Sequence, residues 1–569
     1  MPHAVSSASP GLQALILCGP GSSFPTFTAN PDENPKAVLP IANRPMVWYA
    51  LDFCYRAGVS DITLVCPPSA EKAIASALSL NPALTSLPLP RPALLAPKDL
   101  DHNTGTAEIL RLPEVRETVK NNFLVLPCDL VCELGGEQLL QAWMVHSQTL
   151  RDLVGNDFGL IKDTEGAHSG GLGVWYQIKT ETPIKGLETD FIATTPLPAA
   201  AEAPKESISR HLSTLVYSMP TDSLNDLMEE RKGYPLRHGL IRAHPRVQMR
   251  MTHRDAHIYI FPHWIMDFVQ ENERLDSIGE DVVGWWAKAG WQTGLSQNLG
   301  FHKLFAPDEN KKGEASLSHD DSMSSDTHLD SDESPDRLGK TAAATTSAKG
   351  SLQARALPAM LDQAAATGRI NHNKNNNVPA ILAYTHPSVS EAPLIRRVDT
   401  AQLLLATSLQ LAKLPSVEEG STSPFAHPRK VMYPEGVKGR TTITRQDSLV
   451  GENVTVDEKV AIRETVVGAN CQIKEGAKLS QCLLMDGVVV GKNCKLTRCI
   501  LGKRSQIGDN CTLTDCEVQE NLLVEPKSEE KSAKLMSSSG LEATEEEMQE
   551  VYQEFGDEDH KQGDDIAVV

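Results

Sequence analysis

Residues 465–481 read TVVGANCQIKEGAKLSQ, residues 482–498 CLLMDGVVVGKNCKLTR and residues 499–515 CILGKRSQIGDNCTLTD. Set beneath one another, the three lines repeat with a period of seventeen, and the pattern runs from Ser448 to Val524. Aliphatic residues recur at spacings of six, six and five: Val450, Val456, Ile462, Val467, Ile473, Leu479, Leu484, Val490, Leu496, Leu501, Ile507, Leu513, Val518 and Val524. Two positions before each stands a mostly small residue, as in the column Ser448, Thr465, Cys482, Cys499, Cys516. Side chains two apart on a strand share a face, so each small residue and its aliphatic point inward together. Three short strands per period then stack into a triangular parallel coil. Gly451, Gly468, Gly491, Gly502 and Gly508 each follow an aliphatic, where the chain is expected to turn a corner.

The residue between each inward pair points outward, and the three faces differ. One carries Thr455, Gln472, Val489 and Gln506, and a second Ala461, Lys478, Lys495 and Thr512. The third is an apolar stripe, Leu449, Val466, Leu483 and Ile500, which ends at Glu517. Aligned aliphatics on a flat outer face are expected to meet another surface, either a partner or another part of this chain, so the stripe is a candidate interface. The whole is the left-handed parallel β-helix of hexapeptide-repeat proteins. Acyltransferases with such coils usually use a coil-region histidine as general base. No histidine occurs between Ser448 and Val524, which argues against that activity.

The formal net charge of −20 is concentrated in two segments. Residues 529–569 hold 13 acidic and 3 basic side chains, and residues 308–336 hold 10 acidic and 2 basic. Both are poor in aromatics and are expected to be disordered. No basic patch argues for direct nucleic-acid binding. The N-terminus lacks the basic and apolar sections of a signal peptide, and no run approaches the ~20 apolar residues of a membrane helix. None of the 11 cysteines forms a CxxC pair, and six fall in the small-residue columns of the coil. They read as core residues rather than disulfides or metal ligands, which fits a reducing cytosol.

Before the coil, strand-like runs (Ala14–Cys18, Ile62–Cys66, Phe123–Leu126, His257–Phe261) alternate with helical ones (Arg44–Ala57, Ala70–Leu80, Glu137–Gln148, Trp264–Gln270). The alternation predicts an α/β domain with a parallel sheet covered by helices on both faces. The expected boundaries are a disordered 1–11, an α/β domain over 12–306 and 378–414, and a low-complexity insertion over 307–377. A connection over 415–447, the coil over 448–526 and an acidic tail over 527–569 follow. Ligands of such sheets lie beyond the carboxyl ends of the strands, where Gly19, Gly21 and Asp129 fall. Glycines would let the backbone approach phosphates, Lys36 could neutralise them, and Asp129 could hold Mg²⁺.

Leu17-Cys-Gly-Pro-Gly-Ser-Ser23, Asn34-Pro-Lys-Ala-Val-Leu-Pro-Ile-Ala-Asn-Arg-Pro45, Gly105-Thr-Ala107 and Leu126-Pro-Cys-Asp129 occur in the order seen in sugar-1-phosphate nucleotidyltransferases. The chain resembles that family, especially guanylyltransferases that make GDP-mannose and the gamma and epsilon subunits of eukaryotic translation initiation factor 2B. The resemblance implies a Rossmann-like nucleotidyltransferase-type domain ahead of the coil, with Gly19, Gly21, Lys36, Gly105, Thr106 and Asp129 as vestigial nucleotide-binding candidates. Active members carry Gly-x-Gly-Thr-Arg, and Ser22-Ser23 stands here at Thr-Arg. Losing such a charge donor costs about 10²–10³ in rate. No Glu-Lys-Pro occurs, and the nearest counterpart of the Trp-x-Asp-Ile-Gly motif that supplies a second metal carboxylate, Trp291-Gln-Thr-Gly294, has no Asp. Phe123–Leu130, Asp255–Phe261 and Cys482-Leu-Leu-Met485 look most like the gamma type. The resemblance thus implies no catalytic residue, metal or cofactor. It implies a non-catalytic member of the factor 2B exchange assembly, working with the epsilon subunit and the others on initiation factor 2. The alternative is an active sugar-1-phosphate guanylyltransferase.

Overall fold

The computed structural model describes residues 11–101, 103–147, 169–178, 187–197, 207–234, 237–305, 378–388 and 392–537. The expectations for the N-terminal ten residues, for the insertion and for the tail beyond residue 537 lie outside these. The chain divides into two compact units, one of residues 1–20, 31–38 and 45–398, the other of residues 21–30, 39–44 and 399–569.

The first unit is built on a nine-stranded sheet. Its strands are β1 (Gln13–Leu17), β2 (Asp61–Val65), β3 (Ala93–Leu95), β4 (Phe123–Pro127), β6 (Gly171–Gln177), β7 (Asp190–Pro196), β8 (Leu212–Pro220), β9 (Gln248–Phe261) and β10 (Ile381–Thr385). A separate antiparallel pair joins β5 (Leu130–Cys132) to β11 (Ile395–Arg397). The sheet order is β3-β2-β1-β4-β9-β6-β10-β8-β7. Strands β3, β2, β1 and β4 are parallel; the Leu/Ile/Val runs of β2, β1 and β4 are buried on both faces, whereas the edge strand β3 is partly exposed. The helix Met46–Arg56 covers this half and ends at Gly58, whose φ of +77° suits a left-handed stop. The expected all-parallel sheet stops there. Strand β9 runs antiparallel to both β4 and β6, and β8 runs antiparallel to β10 and β7. Connection length does not force this, since the eleven-residue helix Thr221–Arg231 and a second helix lie between β8 and β9; the antiparallel half is set by which strands meet. Behind the sheet, Trp175, Trp286, Phe123, Phe261 and Phe268 form the main core.

In the second unit the seventeen-residue period becomes three parallel sheets. Leu483 pairs with Ile500, Val489 with Gln506 and Lys495 with Thr512, so residues of one column stack directly. The aliphatics and their small partners are buried inside. Cysteine thiols in these columns donate to carbonyls of the next coil, Cys494 to Gly508 at 3.0 Å and Cys511 to Glu525 at 3.1 Å. All eleven cysteines are buried free thiols. The five glycines serve a different purpose from the expected one. Left-handed φ falls instead at corner residues such as Asn453 (+54°), Asn470 (+56°) and Asn521 (+55°), a residue type that tolerates it. The glycines are required by closeness: a Cβ on Gly491 would lie 2.5 Å from the Gly508 oxygen, and one on Gly502 2.6 Å from the Glu520 nitrogen.

The coil is also longer than expected at both ends. Glu529–Lys531 and Lys534–Leu535 continue two of the sheets. At the front, Ile443 pairs with Ile462, and Val431 and Val437 bridge to Val450 and Val456. These pairs are nineteen apart rather than seventeen, which hides the first coil from the repeat. The extra residues precede Ser448, where the Asp447 carboxylate accepts hydrogen bonds from the hydroxyls of Thr444 and Ser448 and from the Glu464 N–H.

The stripe Leu449, Val466, Leu483 and Ile500 is not available as an interface for another subunit, because none of the four is more than 3% exposed. Its cover comes from this chain. The helix Ala401–Ala412, capped by the Thr400 hydroxyl on the Leu403 N–H, packs on the strands at Val466 and Leu483. That helix was expected to finish the α/β domain; its apolar face draws it to the coil instead. Residues 21–30 and 39–44 join it: the Asn43 amide donates to the Val467 carbonyl at 2.8 Å, and the Ala42 N–H to Ser408 Oγ at 3.2 Å. At the end of the stripe the Thr26 hydroxyl donates to Glu517 at 3.0 Å, with Phe24 and Phe27 buried nearby in sequence.

Candidate functional site

Asp129 follows β4, where its backbone carbonyl accepts the Val398 N–H at 2.8 Å and so joins the end of β11. Its side chain is 1% exposed, which demands compensation for a buried charge. Lys36, on the short helix Lys36–Val38, donates to one carboxylate oxygen at 2.7 Å. The Nε of Arg397, on β11, lies 3.5 Å from the other. Burial would push the Asp129 carboxyl up, but Lys36 and then Arg397 outweigh it and hold the group well below the usual carboxylate range. Burial likewise pulls on Lys36, and the negative charge of Asp129 leaves its ammonium raised overall.

Arg397 also donates to His257 Nε2 at 3.0 Å. Burial, and next the Arg397 charge, push His257 well below its usual pKa, so the ring is neutral and accepts. His257 has a φ of +52° and sits in a bulge where β9 slips register between Asp255 and Tyr259. The bulge turns its N–H onto Asp255 at 2.7 Å, while the Tyr259 hydroxyl takes the other Asp255 oxygen. The Asp255 N–H in turn donates to Asp190 at 2.6 Å. Burial and the nearby Asp190 charge push the Asp255 carboxyl up to about 7.

The Mg²⁺ that the nucleotidyltransferase resemblance would place at Asp129 does not fit these residues. A divalent cation needs several oxygen ligands, and here both oxygens of the carboxylate face protein cations. Among the described residues no group of three or more His, Cys, Asp or Glu side chains is placed to hold a metal ion. The side chain that faces Asp129 where a second carboxylate would be needed is Arg397, which sequence reading missed. A signal existed: Arg396 and Arg397 lie in a short strand just before the Thr400 cap, and part-buried arginines need an anion or an aromatic face. Trp291, of the Trp291-Gln-Thr-Gly294 segment, lies instead in a small core with Phe191 and Leu240, its indole N–H on the Val216 carbonyl at 2.7 Å.

Among the remaining candidates, Gly19 lies beyond the paired ends of β1 and β4, Leu17 against Pro127, on the same edge of the sheet as Asp129. Gly19 follows β1 with open space where a Cβ would stand. Gly21 belongs to the second unit, where its carbonyl accepts the Thr28 hydroxyl at 2.8 Å and the Phe24 N–H at 2.8 Å. Ser22 and Ser23 are exposed. Gly105 is small because a Cβ would meet the Asp276 carbonyl oxygen at 2.2 Å, and the Thr106 hydroxyl accepts the Ile278 N–H at 2.9 Å. Both position the helix Thr106–Arg111 in the core.

The EIF2B subunit epsilon LbH domain, a left-handed β-helix, matches residues 430–529, which takes in the front coil that the period concealed. Translation initiation factor eIF2B subunit gamma of Schizosaccharomyces pombe is 24% identical over 298 residues, 52% of this chain and 56% of that protein. The match therefore spans little more than half the length of that relative. No helix among the described residues is long and apolar enough to cross a membrane. With its mixed α/β sheet domain and left-handed β-helix, this chain is similar over about half its length to the gamma subunit of translation initiation factor eIF2B, and in its coil to the epsilon subunit LbH domain.

Proposed function

We propose that the chain is a non-catalytic, structural and regulatory subunit of a cytosolic eIF2B-type guanine-nucleotide exchange assembly. It pairs with an epsilon-type subunit and further subunits, and the assembly acts on initiation factor 2. The similarity to eIF2B gamma supports membership. The observation that carries the non-catalytic part is the closed ion cluster at Asp129. The carboxylate that would bind metal for nucleotidyl transfer is buried and neutralised by Lys36 and Arg397, which makes it a brace between β4, β11 and the Lys36–Val38 helix. Purified chain with Mg²⁺ and pyrophosphate should leave GDP-mannose intact. Added to an epsilon-type subunit, it should co-purify and speed GDP release from initiation factor 2. Turnover of the nucleotide sugar, or failure to associate with any eIF2B subunit, would overturn this reading.

A further inference from the structure

A second site lies in the first unit and shares no residue with the Asp129 cluster. Strand β8, the helices Thr221–Arg231 and Gly284–Ala289, and the side chains of Tyr234 and Arg237 line a cavity of about 40 Å³. A buried water needs about 10–15 Å³ by this measure, so the space takes a few waters or one tetrahedral oxyanion. Its wall is cationic and aromatic. Lys288 is only 8% exposed, and its ammonium lies 4.4 Å from the Tyr217 ring centre and 4.9 Å from that of Trp285. Ring faces compensate a desolvated ammonium only in part. Among the described residues the Lys288 ammonium makes no hydrogen bond or ion pair, and no carboxylate lines the cavity. Arg231 and Arg237 line it as well, and Tyr234 closes the rim. Burial, with Arg237 adding to it, lowers the Lys288 ammonium to about 8 against a weaker opposing pull from Asp281.

Three converging cations without a counter-charge form an incomplete electrostatic set. A singly charged carboxylate would leave most of it unbalanced, whereas a dianionic phosphate presents three oxygens to two guanidinium forks and one ammonium. The volume admits the phosphate group and excludes a nucleoside, whose base would have to remain on the aromatic rim. We propose that this pocket binds the phosphate group of a phosphate monoester, held by Lys288, Arg231 and Arg237.

The test is calorimetric titration of the full chain with three probes: inorganic phosphate, mannose 1-phosphate, and a phosphoserine peptide beside its unphosphorylated form. At least one phosphate probe should bind the wild type, and Lys288→Met should weaken it about tenfold or more, the usual weight of a charge-assisted contact. Arg237→Gln, at a partly exposed position, should weaken it too and supplies the comparison if Lys288→Met fails to fold. Preference for the sugar phosphate assigns a small metabolite, and preference for the phosphopeptide assigns a modified protein; each supports the site. Absence of binding by all three probes at millimolar concentration would overturn the proposal, as would binding unchanged in both variants.

Discussion

Replacing Asp129 by Asn separates a structural carboxylate from a catalytic one. In a metal-dependent active site an aspartate is held ready for a cation, and its replacement without metal often leaves stability unchanged or raises it, since function and stability compete there. Here the amide would take the carboxylate charge away from Lys36, at 2.7 Å, and from Arg397, at 3.5 Å, at a 1%-exposed position. Removing one partner of a buried ion pair costs about 3–5 kcal/mol, or roughly 10²–10⁴ in the folded-to-unfolded ratio. All seven tryptophans belong to the first unit, so guanidinium unfolding followed by tryptophan fluorescence reports that unit alone. The pH dependence has a fixed sign. Because the folded carboxyl is held below its unfolded value, its contribution is fully present above about pH 5 and is lost as pH falls below about 4. The gap between wild type and Asp129→Asn should therefore be flat near neutrality and close in acid. Adding Arg397→Met to Asp129→Asn should recover part of the loss, because one of the two cations that faced the carboxylate is gone. An Asp129→Asn chain as stable as wild type at pH 7 would refute the reasoning.

Two further outcomes follow from the coil. Leu483→Asp places a carboxylate at a fully buried position under the helix Ala401–Ala412 and should cost several kcal/mol. Leu523→Asp, on an outer position 67% exposed, should stay within ~0.5 kcal/mol. Hydrogen exchange of the coil amides distinguishes them, and equal protection in both would show that the stripe is uncovered. Gly491→Ala forces a Cβ to within 2.5 Å of a backbone oxygen in the next coil and should cost about 1–3 kcal/mol, whereas Gly439→Ala meets nothing within 4 Å. Indistinguishable exchange in these two variants would refute the close-approach explanation.

The coil was legible because its registers advance by a constant seventeen residues, so every inward column repeats in the sequence itself. It became illegible where that constancy failed. Two extra residues ahead of Ser448 hide the first coil, and Glu530 stands in the inward column of Leu479, Leu496 and Leu513, so the last coil looks like tail. The apolar stripe was visible, but its cover was not, since residues 21–30 lie hundreds of positions away and carry no pattern that names their partner. In the first unit the buried parallel strands announced themselves as aliphatic runs, whereas the antiparallel half depends on which strands meet, a tertiary choice that local sequence does not encode. Asp129 and Lys36 were identifiable as strand-end and loop charges. Their meaning was not: only Arg397, 268 positions after Asp129, turns a possible metal ligand into a neutralised brace.

The hydrogen bond from Thr26 to Glu517 has a consequence for how the molecule is made. The two residues stand 491 positions apart, so at about 5–20 residues per second a ribosome adds the receiving coil tens of seconds after residues 21–30. Until then the Thr26 hydroxyl lacks the Glu517 carboxylate that accepts it, in a segment whose two phenylalanines, Phe24 and Phe27, are buried in the finished fold. A nascent chain of this design carries one half of the contact for tens of seconds before the other exists, and a chain that stopped short of Glu517 would never close it.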